Sequence, residues 1–309
     1  MSGAPQVAVA GEIFIDLIFS GLDEWPRPGK ETFARNFHRE LGGGTAITAC
    51  ALASLGTECS VFACTGADAY GWIVSRLAEF GVDNEIRIDT SEPTAITMIL
   101  TQPHDRAFLT YEGANRAFYT AFVEAIQSGC HVPRRHLHMA FAPPPDAASE
   151  LIEPLKAKGC SISVDVGWRE NWLKDSRSSE LLRQIDIFFP NETEARCMTG
   201  LGEPEAMLNW FASRNIRRVV LKLGTRGAAM LWDGEIHFSP GHAATAIDTT
   251  GAGDCFDAGF LHAWLSGEDP ADCLRAGNMC GALSTQALGG LNALKSEAWR
   301  RIKERKGLP

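Results

Sequence analysis

The sequence predicts an α/β fold: a mostly parallel sheet between two helix layers, three αβα layers in all, with a small β-sheet lid standing off it. Three observations carry this expectation. Short apolar β-type runs alternate along the chain with helical stretches closed by glycine, one pair of adjacent strands has no helix between them, and 45% of the 309 residues are hydrophobic, enough for a large core. Residues 1–309 read as one unit, with no internal repeat and no low-complexity linker.

Taken in order, residues 7–10 and 13–19 are short apolar runs, and the Trp25-Pro26-Arg27-Pro28-Gly29 stretch that follows is a turn. Residues 31–41 are more polar and fit a strand exposed on one face. Leu41-Gly42-Gly43-Gly44-Thr45 then opens a small-residue helix over 46–55, with Gly56 just past its end. A strand at 60–64 and a helix at 70–80, closed by Gly81, continue the alternation. Residues 94–101 and 106–111 flank Gln102-Pro103-His104-Asp105 without a helix and predict a hairpin. Together with 13–41 this hairpin builds the small sheet, so the lid runs over about 13–41 and 92–115, hinged near Gly42 and at Gly113-Ala114-Asn115. Strands at 137–141, 161–166 and 185–189 return to the core. Those at 219–223, 228–232 and 235–238 complete it, followed by helices from Gly253, Pro270 and Ser296.

Composition narrows the function. A net charge of −9 and a pI near 5.4 argue against nucleic acid as a partner, because phosphate backbones are held by clustered Lys and Arg. The nine cysteines form no C-x-x-C pair and sit among apolar neighbours, as at Cys50, Cys64 and Cys280, so they read as reduced core residues. Residues 1–6 lack the charge and apolar core of a signal peptide, and no uninterrupted stretch reaches membrane-spanning length. A soluble cytoplasmic protein with no membrane partner is the expectation.

The chemistry concentrates in Asp248-Thr249-Thr250-Gly251-Ala252-Gly253-Asp254 at the head of an apolar helix. Glycines there turn the backbone sharply, so that the amides of Gly251, Ala252 and Gly253 and the positive end of the helix converge on one point and form an anion site. Asp254 stands beside whatever those amides hold. The simplest reading is a kinase in which Asp254 deprotonates a hydroxyl while the amides neutralise charge on the transferring phosphoryl group. The same residues could also be a glycine turn with an Asp capping a helix. No G-x-x-x-x-G-K-[ST] occurs, and no G-x-G-x-x-G follows the first strand, which disfavours a P-loop protein and a nicotinamide oxidoreductase.

With these elements in place, the chain resembles the ribokinase-like (PfkB) carbohydrate kinase family over essentially its whole length. The signature D-T-x-G-A-G-D matches Asp248 to Asp254, the N-terminal glycine pair matches Gly42 and Gly43, and N-x-x-E matches Asn191-Glu192-Thr193-Glu194. The L-G-x-x-G turn appears as Leu223-Gly224-Thr225-Arg226-Gly227, the early G-[DE]-x-x-x-D element as Gly11 to Asp16, and G-A-N as Gly113-Ala114-Asn115. The resemblance implies Asp254 as catalytic base and Gly251, Ala252 and Gly253 as its anion hole. It puts Asp16 on sugar hydroxyls and lets Gly42 and Gly43 approach the substrate, while Asn115 either bonds a hydroxyl or fixes the lid hinge. ATP is implied as phosphoryl donor, with Asn191, Lys222, Gly224, Thr225 and Gly227 near its phosphates and ribose. Asn278, with Gly281 and Ala282, would wall the adenine slot. Glu194 would hold Mg²⁺ through water, although Asn191 and Glu194 equally make a capping box. Asp248 and the Thr250 carbonyl, with carbonyls from 287–290, match part of a potassium site found in many members. A homodimer through the lid sheet is a further implication.

Two departures bear on the substrate. The Asn usual five residues after the first glycine is Ile47, with Thr45 or Thr48 as possible stand-ins, and D-P-N-x-R survives only as Asp165-Val166-Gly167-Trp168-Arg169. Arg169 would meet an acidic or hydroxylated substrate or lie at the surface beside Glu170. Trp168 and Trp172 are four apart and are expected to pack together. His131, His136 and His138 lack a completing ligand for a metal, Cys255 reads as packing, and Arg106 near the hairpin tip reaches substrate or a partner subunit. The expectation is therefore an ATP-dependent kinase acting on a hydroxymethyl group of a sugar of the ribose, fructose or 2-keto-3-deoxygluconate type. A nucleoside kinase is the alternative, kept open by Ile47, and a noncatalytic sugar- or nucleotide-binding regulator is the rival from another class.

Overall fold

The computed structural model describes residues 6–102, 105–129, 133 and 135–299. In chain order it gives β1 (Val7–Gly11), β2 (Phe14–Leu22), β3 (Ala34–Gly42), α1 (Gly44–Leu55), β4 (Cys59–Gly66), α2 (Tyr70–Ala78), β5 (Asp83–Asp89), β6 (Ile96–Gln102), β7 (Asp105–Tyr111) and α3 (Phe118–Gln127). There follow β8 (His136–Ala140), α4 (Glu153–Ala157), β9 (Ser161–Val164), α5 (Glu170–Lys174), α6 (Ser176–Leu182), β10 (Ile187–Phe188), α7 (Glu192–Thr199) and α8 (Pro204–Ala212). The last elements are β11 (Arg218–Lys222), β12 (Ala228–Trp232), β13 (Glu235–Ser239), α9 (Ala252–Ser266) and α10 (Pro270–Ser284).

Nine strands form the main sheet in the order β13-β12-β11-β10-β9-β8-β1-β4-β5. All pairs are parallel except those of β12, which runs antiparallel to both neighbours. The two-residue period of a strand divides the apolar side chains between the faces. In β1, Val7 and Val9 join the layer packed with α1, α2, α9 and α10, whereas Ala8 and Ala10 join the layer packed with α3 to α8. Strands buried on both sides explain the continuous apolar runs of β1, β4 and β11. β5 was not expected from the sequence: it lies at the sheet edge, only Ile86 of its seven residues is buried, and no apolar alternation marks it. β9 stops at Val164 and β10 shrinks to Ile187–Phe188, both shorter than their apolar runs suggest. The helix expected from Ser296 lies largely outside the described residues.

The second sheet has four strands in the order β3-β2-β6-β7, with β2 parallel to β6 and the expected β6–β7 hairpin antiparallel. Two of its fastenings to the core lie near the hinges. Glu40 near the end of β3 receives Arg76 of α2 in a two-point contact, Nε at 2.7 Å and Nη2 at 2.6 Å, and the Asn115 amide donates to the Ile13 carbonyl at 3.0 Å. Beneath the site, His136 and His138 run down β8 in a buried chain with Ser161 and Ser163 of β9, each contact 2.8 Å. Burial pushes both imidazoles down, His138 to about 4, so they are neutral partners of hydroxyls. His131 lies outside the described residues. Among the described residues, no helix is long and apolar enough to cross a membrane.

Candidate active site

Two cavities open beside the carboxyl ends of the parallel strands, where open α/β sheets place their ligands. The first, about 530 Å³, lies between the two sheets: Phe14, Thr97 and Thr110 face Ala140, Asp165, Trp168, Arg169 and Asp254. The second, about 250 Å³, is bounded by Lys222, Gly224, Thr225, Gly227, Gly253, Phe256, Asn278, Gly281 and Ala282. The N-terminus of α9 forms the wall between them. Asp254 opens into the first cavity and Gly253 into the second.

At this helix start one of the three amides expected in the anion hole, that of Ala252, is instead used to close the turn. The Ala252 N–H donates to the Thr249 carbonyl at 3.2 Å, while the N–H groups of Gly251 and Gly253 have no acceptor among the described residues. Thr48 donates to the Asp254 carbonyl at 3.3 Å and anchors the first turn. The side chain of Ile47 fills the space under the loop, close enough that a Cβ on Gly290 would sit 2.6 Å from its Cδ1. Ile47 therefore packs behind the anion loop and does not line the first cavity. Thr45 and Thr48 do not line that cavity either: both are buried, and the Thr48 hydroxyl is taken by the Asp254 carbonyl.

Glycine makes room for two carboxylates at the start of α1: Asp254 lines the first cavity, and Asp16 is buried against Gly42 behind that lining. A Cβ on Gly42 would lie 2.1 Å from Asp16 Oδ2, and one on Gly44 would lie 2.9 Å from Asp254 Oδ1. Gly43, at φ +89°, starts α1 between them. Asp16 sits on β2 opposite Glu40 on β3 and is 7% exposed. Burial, then the charges of Asp254, Glu40 and Asp248, pushes its carboxyl up to about 7. Burial and then Asp165 push Asp254 up to about 6, with Lys222 opposing.

Lys222 is the counter-charge of this region. Its Nζ lies 2.7 Å from Asp165 Oδ2 and 3.2 Å from both oxygens of Asp257. Against the cost of burial, Lys222 holds Asp165 low, while burial raises Asp257 well above the usual carboxylate range. The sequence reading missed Asp257 and Gly44. Asp257 had a signal: it is a lone acid in an otherwise apolar helix, three residues after Asp254 and so on the same face.

The remaining positions divide. Gly224, Thr225, Gly227 and Asn278 line the second cavity with Lys222, and the Asn278 amide ties α10 to the Ser239 and Pro240 carbonyls at 3.1 Å each. Asn191 and Glu194 make the full capping box of α7, with Asn191 N–H and Nδ2 donating to the Glu194 carboxylate at 2.8 and 2.6 Å. Burial, then Asp165, pushes Glu194 up to about 7. Each Glu194 oxygen keeps a lone pair beyond that box, which fits Mg²⁺ held through water, since Mg²⁺ retains several waters and takes few protein ligands. Asn115 spends its amide on the Ile13 backbone and so fixes the hinge. Arg169 lines the first cavity, but its Nη2 donates to both Glu12 oxygens at 2.6 Å. Asp248 bonds Thr250, Gly289 and Arg106. Trp168 and Trp172 do not pack together as expected, because α5 begins only at Glu170. Trp172 is buried and donates to the Pro143 carbonyl at 2.6 Å, whereas Trp168 is 55% exposed at the cavity mouth. Cys255 is fully buried, which agrees with packing.

Comparison with known proteins follows the same lines. The model of the pfkB family carbohydrate kinases matches residues 4–297. An ATP-dependent ribose-1-phosphate kinase of Halopiger xanaduensis is 30% identical over 296 residues, 95% of this chain and 96% of that one. The structure of Arabidopsis thaliana ribokinase complexed with ribose and ATP superposes with a TM-score of 0.80 at 25% identity, covering 98% of each chain. A protein from E. coli described as a ribokinase II, in complex with ATP and Mg²⁺, has a TM-score of 0.80 at 23% identity, covering 97% of this chain and 98% of that one.

The Asp16 carboxylate gives a stability test. Its folded-state value near 7 exceeds the unfolded 3.8, so ionised Asp16 destabilises the free protein above pH 7, and that cost disappears as pH falls through 7 toward 4. Asp16→Asn should raise the melting temperature at pH 8 by about 3 °C or more and give little gain at pH 4.5. Calorimetry checks it, and an unchanged or lower melting temperature at pH 8 refutes the uncompensated carboxylate.

Proposed function

The chain belongs to the pfkB family of carbohydrate kinases, and from that membership we propose that it transfers the γ-phosphoryl group of ATP to a hydroxymethyl group of a sugar or sugar-like alcohol. The observation that carries the proposal is the position of Asp254, at the amide-rich start of α9 and between two cavities. The acceptor occupies the first cavity, with Asp16 accepting from its hydroxyls. The nucleotide occupies the second, against Thr225, Gly227 and Asn278. Asp254 accepts the proton of the attacking hydroxyl as the acceptor oxygen bonds phosphorus and the bond to the ADP oxygen breaks. The Gly251 and Gly253 amides and the helix dipole meet the charge that builds on the phosphoryl oxygens. Glu194 would hold Mg²⁺ through water, and the ion would supply charge neutralisation to the phosphates of the donor.

In this reading the small sheet, over about 13–41 and 92–115, acts as a lid that excludes water as a competing acceptor. Ribose, fructose and 2-keto-3-deoxygluconate are the acceptor types first in line. A nucleoside is the second reading. The observation favouring it is the aromatic rim of the first cavity, Phe14, Tyr111, Phe141 and Trp168, which offers ring faces to a base. Arg169, already neutralised by Glu12, favours uncharged ribose, fructose or a nucleoside over the carboxylate of 2-keto-3-deoxygluconate.

The lid sheet also supports a homodimer. Strand alternation gives its outer face Leu17, Phe19, Phe37, Met98, Leu100 and Leu109, with Phe37 59% and Leu109 70% exposed. Such a contiguous apolar face is unusual on a monomer.

Three measurements test these proposals. ADP release from Mg-ATP should depend on one of ribose, fructose, 2-keto-3-deoxygluconate, adenosine or inosine, and Asp254→Asn should keep nucleotide binding while turnover drops roughly a hundredfold or more. Near-normal turnover in that variant removes Asp254 as the base, and ATP binding without turnover in wild type favours the regulator. Because the base must be ionised, kcat/KM should rise through about pH 6 and level off above it; a flat profile between pH 5 and 8 contradicts the assignment. Light scattering should give a dimer mass for wild type and a monomer mass for Phe37→Glu, and a wild-type monomer at micromolar concentration rejects the lid interface.

A further inference from the structure

Arg106 lies on β7 opposite Thr101, and strand alternation puts it on the same side of the small sheet as Thr110, which lines the first cavity. Its guanidinium crosses to the loop before α9. Nη1 is 2.9 Å from Asp248 Oδ1 and 3.2 Å from Thr250 Oγ1. Asp248 is 6% exposed, and both its oxygens are engaged. Oδ1 also accepts the Thr250 N–H at 2.9 Å and the Thr250 hydroxyl at 2.8 Å, and Oδ2 accepts the Gly289 N–H at 2.8 Å.

The resemblance to the family implies a potassium site on Asp248 and neighbouring carbonyls, and these atoms do not fit one. The Leu288 carbonyl, within the loop that should supply oxygens, accepts the Asn292 amide at 2.7 Å. A full positive charge already rests on the Asp248 carboxylate, and a second cation there would face the guanidinium across a few ångströms of partly buried space, where like charges repel strongly. What a monovalent cation does beside such a loop is compensate the buried carboxylate and fix the turn that presents the amides. Arg106 does both with a group that cannot diffuse away or lose its charge.

We propose that the Arg106 guanidinium takes the place of a monovalent cation at Asp248, as a positioning residue that holds the 248–251 turn in register for phosphoryl transfer. This rests on the kinase reading of that turn. Its consequence is mechanical. The charge belongs to the β6–β7 hairpin, so the turn is compensated when the small sheet covers the site, and lid position and anion loop are linked through one ion pair.

The test compares potassium with choline at constant ionic strength in wild type, Arg106→Ala and Arg106→Lys. Wild-type turnover should change by less than about twofold, and its melting temperature should not shift, since a cation that binds only the folded state must stabilise it. Arg106→Ala should lose roughly tenfold or more in kcat with KM for ATP little changed, and should recover part of it with added guanidinium or potassium, as expected when a positioned charge is restored. Arg106→Lys should retain most of the activity. Activation or stabilisation of wild type by potassium overturns the proposal. So does an Arg106→Ala variant with unaltered kcat, or one that melts like wild type yet is rescued by neither cation, which would put Arg106 on the substrate itself. If wild type has no kinase activity, the kinase reading has failed, and the melting curves still decide this one: potassium should stabilise Arg106→Ala and not wild type.

Discussion

The site depends on a single buried ammonium. Lys222 at the end of β11 reaches Asp165, just past β9, and Asp257 on α9, so it joins two strand ends to the helix whose first turn carries Asp254. In a low-dielectric interior one ammonium cannot support two ionised carboxylates. Lys222 holds Asp165 low, while burial pushes Asp257 up. The same ammonium also lowers Asp254 and Glu194 against their burial. Losing one member of a buried charged set leaves the others uncompensated and typically costs about 3–5 kcal/mol. Lys222 is thus a structural residue and the electrostatic reference for the catalytic candidate.

Asp16 has no such relief, and Asp254 has it only in part. Each occupies a gap that only glycine leaves, Asp16 at Gly42 and Asp254 at Gly44, and each is raised by burial and by neighbouring acids. A chain selected only for stability would not gather Asp16, Glu40 and Asp254 around one space. Their convergence is the kind of local cost that folds carry at functional sites. On the proposed reading a polyhydroxylated ligand would relieve it, because its hydroxyls would donate to an Asp16 carboxylate that has no hydrogen-bond partner among the described residues.

Most of the architecture was legible in the sequence because it rests on local periodicity and local punctuation. The βα alternation, the hairpin without a helix, the glycine-opened α1 and the Asp248–Asp254 loop all appear where their residues predict them. β5 escaped because an edge strand need not be apolar, and just past the end of β9 Asp165 meets Lys222. Side-chain roles were less legible, since the deciding partner lies far away in the chain. Arg169 is met by Glu12, 157 positions earlier, Asn115 by Ile13, 102 positions earlier, and Arg106 by Thr250, 144 positions later. Ile47 follows the same rule. Its departure from the family pattern suggested an altered sugar pocket, but its side chain packs against Gly251 and Gly290 instead. The aromatic rim of the cavity, which bears directly on substrate choice, carries no sequence motif at all.

The compactness of the Asp248–Asp254 run follows from its position between two cavities. Asp248 fixes the loop from behind through Thr250 and Gly289, Thr249 takes up the Ala252 N–H, and the two glycine amides on either side of Ala252 remain available. Asp254, one residue further, is the first side chain that α9 can aim across to the acceptor side. A shorter run would leave no amide between donor and acceptor. A longer one would set the carboxylate further along the helix, away from its positive end. On the proposed reading, seven consecutive residues therefore hold a turn, an anion site and a base in the order that an in-line transfer would require, and the long-range ion pairs of Lys222 and Arg106 brace that run from either side.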